Sequence, residues 1–212
     1  MKLFHLPPVI EGLIFDIDNT LYRDERYVNG QIVQLIARLA RERGESFEVT
    51  NGMIETYRTG QAAQNGGRKP SLGNTFLHFG VPIEQSVRWR EEELNPEEYL
   101  SVDLELDALL AELAGRYRIA CVTNNPSTVG RRTLAALGVE HHFRVVIGLE
   151  STMVSKPHVL PFQRAAADLS CRPDRMVSIG DRYEIDIEPA LSTGMGGILV
   201  ESREDLFSLP LD

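Results

Sequence analysis

The chain has 212 residues, 42% hydrophobic and 25% charged, as expected of a folded globular protein with room for one large domain or two modest ones. Its 22 basic and 31 acidic side chains give a formal charge of −9, which argues against a nucleic acid polymer or an anionic membrane as partner. Cys121 and Cys171 lie far apart, no apolar leader is visible, and no apolar run reaches about 18 residues. We therefore expect a cytoplasmic chain with free thiols.

The first strong signal is a short apolar run, Leu13–Phe15, that ends in two acids. The run predicts a buried strand. Side chains at i and i+2 of an extended segment point to the same side, so Asp16 and Asp18 should converge. Two like charges this close are costly unless a cation lies beside them. From these residues alone, a metal-binding carboxylate pair and a simple Asp-Asn turn at Asn19 both remain open.

Residues 23–100 contain helical patterns and no convincing strand. After a polar loop at 22–29, an amphipathic helix is predicted from about Gly30 to Gly44. Thr50 is predicted to cap a second helix, and a short apolar segment ends at Gly80. Pro82 starts a further helix that runs to Leu94.

Beyond residue 100, strands alternate with helices. Predicted strands at 119–122, 145–147, 176–179 and 197–200 alternate with helices that include 103–115, 127–138 and 155–167. These strands are continuously apolar, as in a parallel sheet covered on both faces. Together with 13–15 they predict an α/β fold with five parallel strands and an inserted all-helical block.

Polar residues follow the predicted strands where a parallel sheet binds its ligands, at the carboxyl ends. Four carboxylates, a hydroxyl and an ammonium are predicted to meet there from segments far apart in sequence. The ammonium belongs to a lysine predicted at the start of the 155–167 helix. Phosphoryl transfer requires this combination: carboxylates for a metal and a nucleophile, a lysine, and hydroxyl or amide donors. The residues are Asp16, Asp18, Thr123, Asn124, Lys156, Asp181 and Asp186.

The same residues resemble the four motifs of the haloacid dehalogenase superfamily. The motifs are Asp16-x-Asp18-x-Thr20, a strand ending in Thr123, Lys156-Pro157, and Gly180-Asp181-x4-Asp186, in the family's order over residues 13–190. The resemblance implies a Rossmann-like core, residues 1–22 and 101–212. It also implies a C1-type helical cap over residues 23–100.

The resemblance further implies a Mg2+-dependent phosphatase. Asp16 would attack phosphorus and form an aspartyl-phosphate, and Asp18 would carry the proton to the leaving group and from water. The Asp16 carboxylate, the Asp18 backbone carbonyl and Asp181 would hold Mg2+, a hard ion suited to oxygen ligands.

The remaining motif residues receive supporting roles from the same resemblance. Thr123 and the backbone amide of Asn124 would bind the phosphate. Lys156 would pair with the nucleophile and the phosphate. Asp186 would either orient Lys156 or hold a metal-bound water.

The substrate is expected to be a small phosphorylated metabolite, and several identities are open. Residues 15–22, Tyr99-Leu100-x-x-Asp103 and Lys156-Pro157-His158 are similar to pyrimidine 5′-nucleotidases, whereas the family's Tyr-Gly-rich stretch is poorly matched by residues 57–61. Phosphoglycolate or a sugar phosphate is the alternative. A metal-free 2-haloacid dehalogenase, a phosphotransferring mutase and a non-catalytic binding protein are further possibilities. The oligomeric state is left open.

Residues outside the motifs carry weaker expectations. His141-His142 is predicted to be a surface turn and not a metal pair, and residues 66–69 to be a solvated loop and not a phosphate-binding one. Cap side chains should determine specificity by contacting the leaving group. The candidates are Tyr22, Tyr57, Arg58, Arg68 and Lys69.

Overall fold

A computed structural model describes residues 1–211, and within them six strands form one sheet. The strands are β1 (Lys2–Phe4), β2 (Gly12–Phe15), β3 (Arg118–Val122), β4 (Val145–Ile147), β5 (Met176–Gly180) and β6 (Gly196–Leu199). Their order in the sheet is β1-β6-β5-β2-β3-β4. All neighbours are parallel except β1 and β6, which are antiparallel.

The predicted α/β fold with five parallel strands is therefore confirmed, and the sixth strand is an addition. β1 is three residues long and mostly exposed, so it lacks the apolar run by which the others were predicted. In contrast, β2 is buried along its whole length at the centre of the sheet. Its side chains alternate between the two faces: Leu13 and Phe15 join one hydrophobic cluster, and Ile14 joins another.

A helical insertion separates β2 from β3. It contains α1 (Glu25–Arg43), α2 (Phe47–Gln64), α3 (Leu72–His78) and α4 (Ile83–Glu93). Its own hydrophobic cluster includes Ile36, Ile54, Phe76 and Trp89. This matches the all-helical block expected over residues 23–100.

Two of the predicted helix starts in the insertion are wrong. α1 begins at Glu25 instead of near Gly30, because the Asp24 side chain accepts hydrogen bonds from the amides of the first turn. α2 is capped by Ser46, whose side-chain oxygen accepts a hydrogen bond from the Val49 N–H. Thr50 lies inside α2 and donates its hydroxyl to Glu45 instead.

The remaining helices cover the two faces of the sheet. They are α5 (Leu104–Arg116), α6 (Ser127–Ala136), α7 (Leu149–Thr152), α8 (Leu160–Leu169), α9 (Glu188–Ser192) and α10 (Arg203–Leu206), with a π-helical turn at Tyr183–Ile187. The prediction that Lys156 opens a helix is wrong, because residues 155–158 form a turn and α8 starts at Leu160. No helix in residues 1–211 combines the length and apolarity needed to cross a membrane.

Candidate active site

Asp16 extends the central strand into the site. Its backbone N–H still bonds to the carbonyl of Ile179 in β5, at 2.9 Å, although β2 ends at Phe15. The chain then turns, with Asn19 in the left-handed region (φ 60°) and the Leu21 N–H bonded to the Ile17 carbonyl at 3.0 Å. Asp16 is 4% exposed and lies at the carboxyl edge of the sheet.

Lys156 joins two carboxylates in the interior. Its Nζ lies 2.6 Å from Oδ1 of Asp16 and 2.6 Å from Oδ1 of Asp186, and the side chain is 1% exposed. Burial alone would lower the pKa of Lys156, but attraction to the two carboxylates outweighs it and the pKa is raised. The lysine is therefore an ammonium clamped between two acids.

The Asn124 side chain holds the backbone that carries this lysine. Its Oδ1 accepts the Lys156 N–H at 2.7 Å, and its Nδ2 donates to the Lys156 carbonyl at 3.2 Å. The Asn124 N–H makes no hydrogen bond within residues 1–211 and is free to meet an anion. Thr123 is 4% exposed, and its hydroxyl accepts the Asn125 N–H at 3.1 Å while keeping its own proton to donate.

Asp18 is surrounded by donors. Its Oδ1 accepts from the Tyr22 hydroxyl and from Nε2 of Gln31, the latter at 2.9 Å, and its Oδ2 accepts from Nδ2 of Asn125 at 3.2 Å. Burial of the carboxyl and the nearby charge of Asp16 raise the pKa of Asp18, outweighing the hydrogen bonds from Tyr22 and Gln31. A raised pKa favours the protonated form, which a general acid requires.

Three carboxylates form a cluster that fits a divalent cation. One oxygen each from Asp16, Asp181 and Asp186 lie within 4.8 Å of one another. Oδ2 of Asp16 and Oδ1 of Asp181 are buried without a hydrogen-bond partner in residues 1–211. Burial and the charge of Asp16 raise the pKa of Asp181 to about 7. The Asp181 oxygen is the kind of donor that Mg2+ prefers.

Asp186 uses both of its oxygens within the protein. Oδ1 accepts from Lys156, and Oδ2 accepts the Arg182 N–H at 3.1 Å. Asp186 is predicted either to orient Lys156 or to hold a metal-bound water. These two bonds agree with the first role. Gly180 makes this placement possible, because a Cβ there would lie 2.7 Å from the Asp186 Cγ.

A cavity of about 530 Å3 lies between this edge of the sheet and the helical insertion. Asp18 lines it from the sheet side. Basic side chains line it from the insertion, namely Arg58, Arg68, Lys69 and Arg90.

The family model for haloacid dehalogenase-like hydrolases matches residues 10–194. The chain belongs to this family. The match spans Asp16, Asp18, Thr123, Lys156 and Asp181. The resemblance to the superfamily that the motifs predicted is therefore confirmed.

Relatives of this hydrolase are phosphatases. Glyceraldehyde 3-phosphate phosphatase of Methanothermobacter thermautotrophicus is 25% identical over 207 residues, covering 92% of this chain and 87% of the relative. Phosphoglycolate phosphatase of Pectobacterium atrosepticum is 29% identical over 196 residues, covering 87% and 77%. A haloacid dehalogenase phosphatase from Thermococcus onnurineus shares the fold, with a TM-score of 0.59 and 22% identity over 92% of this chain and 87% of that chain. The chain is thus a haloacid dehalogenase-like phosphatase, and the substrates in these relatives' names match the predicted alternatives better than a nucleotide.

Within this phosphatase, the structure brings all seven predicted motif residues to one edge of the sheet. Three of the candidate cap contacts, Arg58, Arg68 and Lys69, line the cavity. Tyr22 does not line the cavity and instead donates its hydroxyl to Asp18. The prediction for Tyr57 is wrong, because its ring stacks on His78, with 3.8 Å between ring centres, and lines a separate groove.

Sequence reasoning did not identify Gln31, Asn125 or Arg90 as site residues. Asn125 could have been inferred, since it directly follows the Thr123-Asn124 strand end. Gln31 carried no signal, because it is a single polar residue on an amphipathic helix. The same holds for Arg90.

Of the remaining candidates, residues 66–69 line the cavity, whereas His141 and His142 lie away from it. His141 and His142 occupy a short turn before β4, at the opposite end of the parallel sheet. With Asp107 they place three possible metal ligands within 4.8 Å of one another, so the turn is confirmed and the exclusion of a metal pair stays a prediction. His142 Nε2 lies 2.8 Å from Oδ1 of Asp107. Both cysteines are free and buried. Residues 66–69 are an exposed loop, and Arg68 pairs with Glu188.

Proposed function

We propose that the chain hydrolyses its phosphomonoester through a phosphoryl group held covalently on Asp16. One observation carries the proposal: Lys156 binds Oδ1 of Asp16, while Oδ2 is buried without a hydrogen-bond partner in residues 1–211. The lysine therefore fixes the carboxylate and leaves one oxygen for attack. Asp18, two residues on, lines the cavity with the raised pKa of an acid.

In the first step, Oδ2 of Asp16 bonds to phosphorus as the bond to the ester oxygen breaks. The departing alcohol oxygen takes the proton from the Asp18 carboxyl. In the second step, a water oxygen bonds to phosphorus and gives its proton to the Asp18 carboxylate. The bond from phosphorus to Asp16 breaks, inorganic phosphate leaves, and both acids return to their starting states.

Asp16 and Asp181 would hold Mg2+, with the Asp18 backbone carbonyl as the further predicted ligand. Mg2+ bound there would offset the negative charge of the phosphoryl oxygens. The Lys156 ammonium adds a fixed positive charge at the same place. The Asn124 N–H and the Thr123 hydroxyl are placed to donate hydrogen bonds to the transferred group.

The helical insertion, which we infer to be the predicted cap domain over residues 23–100, completes the site. Gln31 of α1 donates to Asp18 across the boundary. Further bonds join insertion and core, among them Arg68 to Glu188 at 2.9 Å and the hydroxyls of Ser71 and Ser155 at 2.8 Å. A cap in this position excludes bulk water from the phosphoryl group.

The cavity favours a small metabolite over a nucleotide. No aromatic side chain of residues 1–211 lines it, whereas bases are commonly held by stacking on aromatic rings. The names of the two curated relatives point the same way, since each acts on a short phosphorylated carbon chain.

The test is release of inorganic phosphate from a substrate panel with Mg2+. The panel contains phosphoglycolate, glyceraldehyde 3-phosphate, sugar phosphates and pyrimidine nucleoside monophosphates, and chloride release from a 2-haloacid is measured in parallel. Asp16→Asn should lower kcat by at least about 1,000-fold, while Asp174→Asn, an exposed acid paired with Arg172, should retain it. With an activated aryl phosphate, whose leaving group needs no proton from Asp18, Asp18→Asn should accumulate a phosphoryl-enzyme visible by mass spectrometry. No turnover of any phosphomonoester, or full activity of Asp16→Asn, would refute the proposal.

A further inference from the structure

The insertion side of the cavity carries more positive charge than the transferred phosphoryl group requires. The donors for that group, Lys156, Thr123 and Asn124, all come from the sheet edge. Across the cavity, Arg68 is paired with Glu188 at 2.9 Å and Lys69 with Glu55 at 3.1 Å. These two side chains are exposed and already satisfied. The other two basic residues that line the cavity from the insertion, Arg58 and Arg90, differ from them.

Arg90 is a buried arginine without a counterion. It lies on α4, is 4% exposed, and forms no salt bridge within residues 1–211. Its only hydrogen bonds there run from Nη1 to the carbonyl oxygen, at 3.2 Å, and the hydroxyl of Ser86. The guanidinium lies over the Phe76 ring, 6.0 Å from its centre. Nε and Nη2 therefore have no acceptor in this part of the chain.

A buried charge of this kind is costly unless something anionic meets it. Arginines are rarely fully buried without a partner, and desolvation lowers the pKa of Arg90 to about 10. The fork of guanidinium donors matches a planar carboxylate with two parallel hydrogen bonds. Since Arg90 lines the same cavity as Asp18, the missing partner belongs to whatever occupies the cavity.

Arg58 supplies an independent observation at the same cavity. Its Nε is buried and has no hydrogen-bond partner within residues 1–211. Its Nη1 reaches Glu55 only at 3.5 Å, and that carboxylate also binds Lys69. Two guanidinium groups from different helices, α2 and α4, thus have unused donors at one cavity.

We infer that Arg90, with Arg58 at the same cavity, binds a carboxylate at the far end of the substrate, so that the substrate is a short phosphorylated carboxylic acid. The inference rests on the proposed phosphatase function and specifies its substrate class. The phosphoryl group lies against the Asp16 edge, and the carboxylate lies against the insertion. A neutral aldehyde or alcohol in that place leaves Arg90 unpaired.

Phosphoglycolate and ethyl phosphate form a matched pair for the test, because they differ only in the carboxylate. Loss of a charge-assisted hydrogen-bond pair typically lowers affinity by about 10- to 150-fold. The wild-type kcat/KM should therefore favour phosphoglycolate by about 100-fold, and Arg90→Gln should reduce that ratio to about 10 or less. Arg88→Gln, an exposed arginine on the same helix, is the control and should keep the ratio.

Other outcomes overturn the inference. Equal wild-type kcat/KM values for phosphoglycolate and ethyl phosphate would refute it. So would an equal decrease of kcat/KM for both compounds in Arg90→Gln, because Arg90 would then have a structural role only. A stronger preference for ethylene glycol bisphosphate would assign the site to a second phosphate instead of a carboxylate. If Arg90→Gln fails to fold, Arg58→Gln must lower the ratio, and an unchanged ratio refutes the inference.

A binding measurement separates this inference from the proposed function. Asp16→Asn protein should bind phosphoglycolate more tightly than ethyl phosphate by calorimetry, and adding Arg90→Gln should remove the difference. If the wild-type chain turns over no phosphomonoester and the binding difference persists, the proposed function fails and the carboxylate site stands. If both compounds are hydrolysed and bound equally, the function stands and the carboxylate site fails.

Discussion

Replacing Lys156 with Met tests how strongly the interior of the site depends on one ammonium. The Lys156 Nζ lies 2.6 Å from oxygens of both Asp16 and Asp186, and all three side chains are at most 3% exposed. Removing one partner of a buried ion pair costs about 3–5 kcal/mol, because the other charge stays buried and unpaired. Since two carboxylates lose their partner here, we expect a loss of about 4–5 kcal/mol in the free energy of unfolding. For a chain of this size, that corresponds to a decrease in Tm of about 8–20 °C.

The loss should depend on pH in a defined direction. Burial and the charge of Asp16 raise the pKa of Asp186, and Lys156 opposes the shift. Without the lysine, the folded-state pKa rises further above the unfolded value of about 3.9. A carboxyl with a raised folded pKa destabilises the fold as pH increases, until pH exceeds the folded pKa. The loss caused by Lys156→Met should therefore be smaller at about pH 5 than at about pH 8.

Thermal and urea unfolding of metal-free protein in EDTA, at both pH values, provides the measurement. Lys69→Met is the matched control, because Lys69 is 48% exposed and pairs with Glu55 at the surface. The control should change stability by no more than about 0.5 kcal/mol. A Lys156→Met loss below about 1 kcal/mol, or one equal at the two pH values, would refute the reasoning from burial and charge.

Mg2+ should bind more tightly as pH rises, because the pKa of Asp181 is about 7 and the carboxyl must lose its proton to bind a cation. Calorimetry should give an affinity about tenfold weaker at about pH 6 than at about pH 8, and a pH-independent affinity would contradict this. Tyr22→Phe removes a donor that stabilises the Asp18 carboxylate, so the pKa of Asp18 should rise. The alkaline limb of the kcat/KM profile should then move to higher pH. A move to lower pH would show that Tyr22 does not stabilise the carboxylate. Gly180→Ala would push a methyl group into the Asp186 side chain, and we expect a stability loss of about 1–3 kcal/mol together with reduced kcat. Unchanged stability and turnover would show that Asp186 accommodates the methyl group, and would contradict the close contact as the reason for Gly180.

Much of the fold and the site could be predicted because the informative signals are local. Apolar runs such as Leu13–Phe15 identify parallel strands, and parallel strands bring their carboxyl ends to one edge whatever the details of packing. The errors have local causes too. β1 is too short and exposed to show a pattern, and the Asp24 cap of α1 lay in a stretch that composition alone marked as a loop.

The sequence by itself determined which chemical groups meet at the sheet edge, because strand periodicity and parallel topology are properties of neighbouring residues. Only the tertiary structure decided which groups pair. The insertion brings Gln31 to Asp18, and Gly180 leaves room for Asp186 to reach Lys156. Arg90 becomes buried without an ion-pair partner among residues 1–211. These outcomes depend on how the helical insertion packs against the core, since contacts between residues far apart in the chain leave no periodic pattern in the sequence.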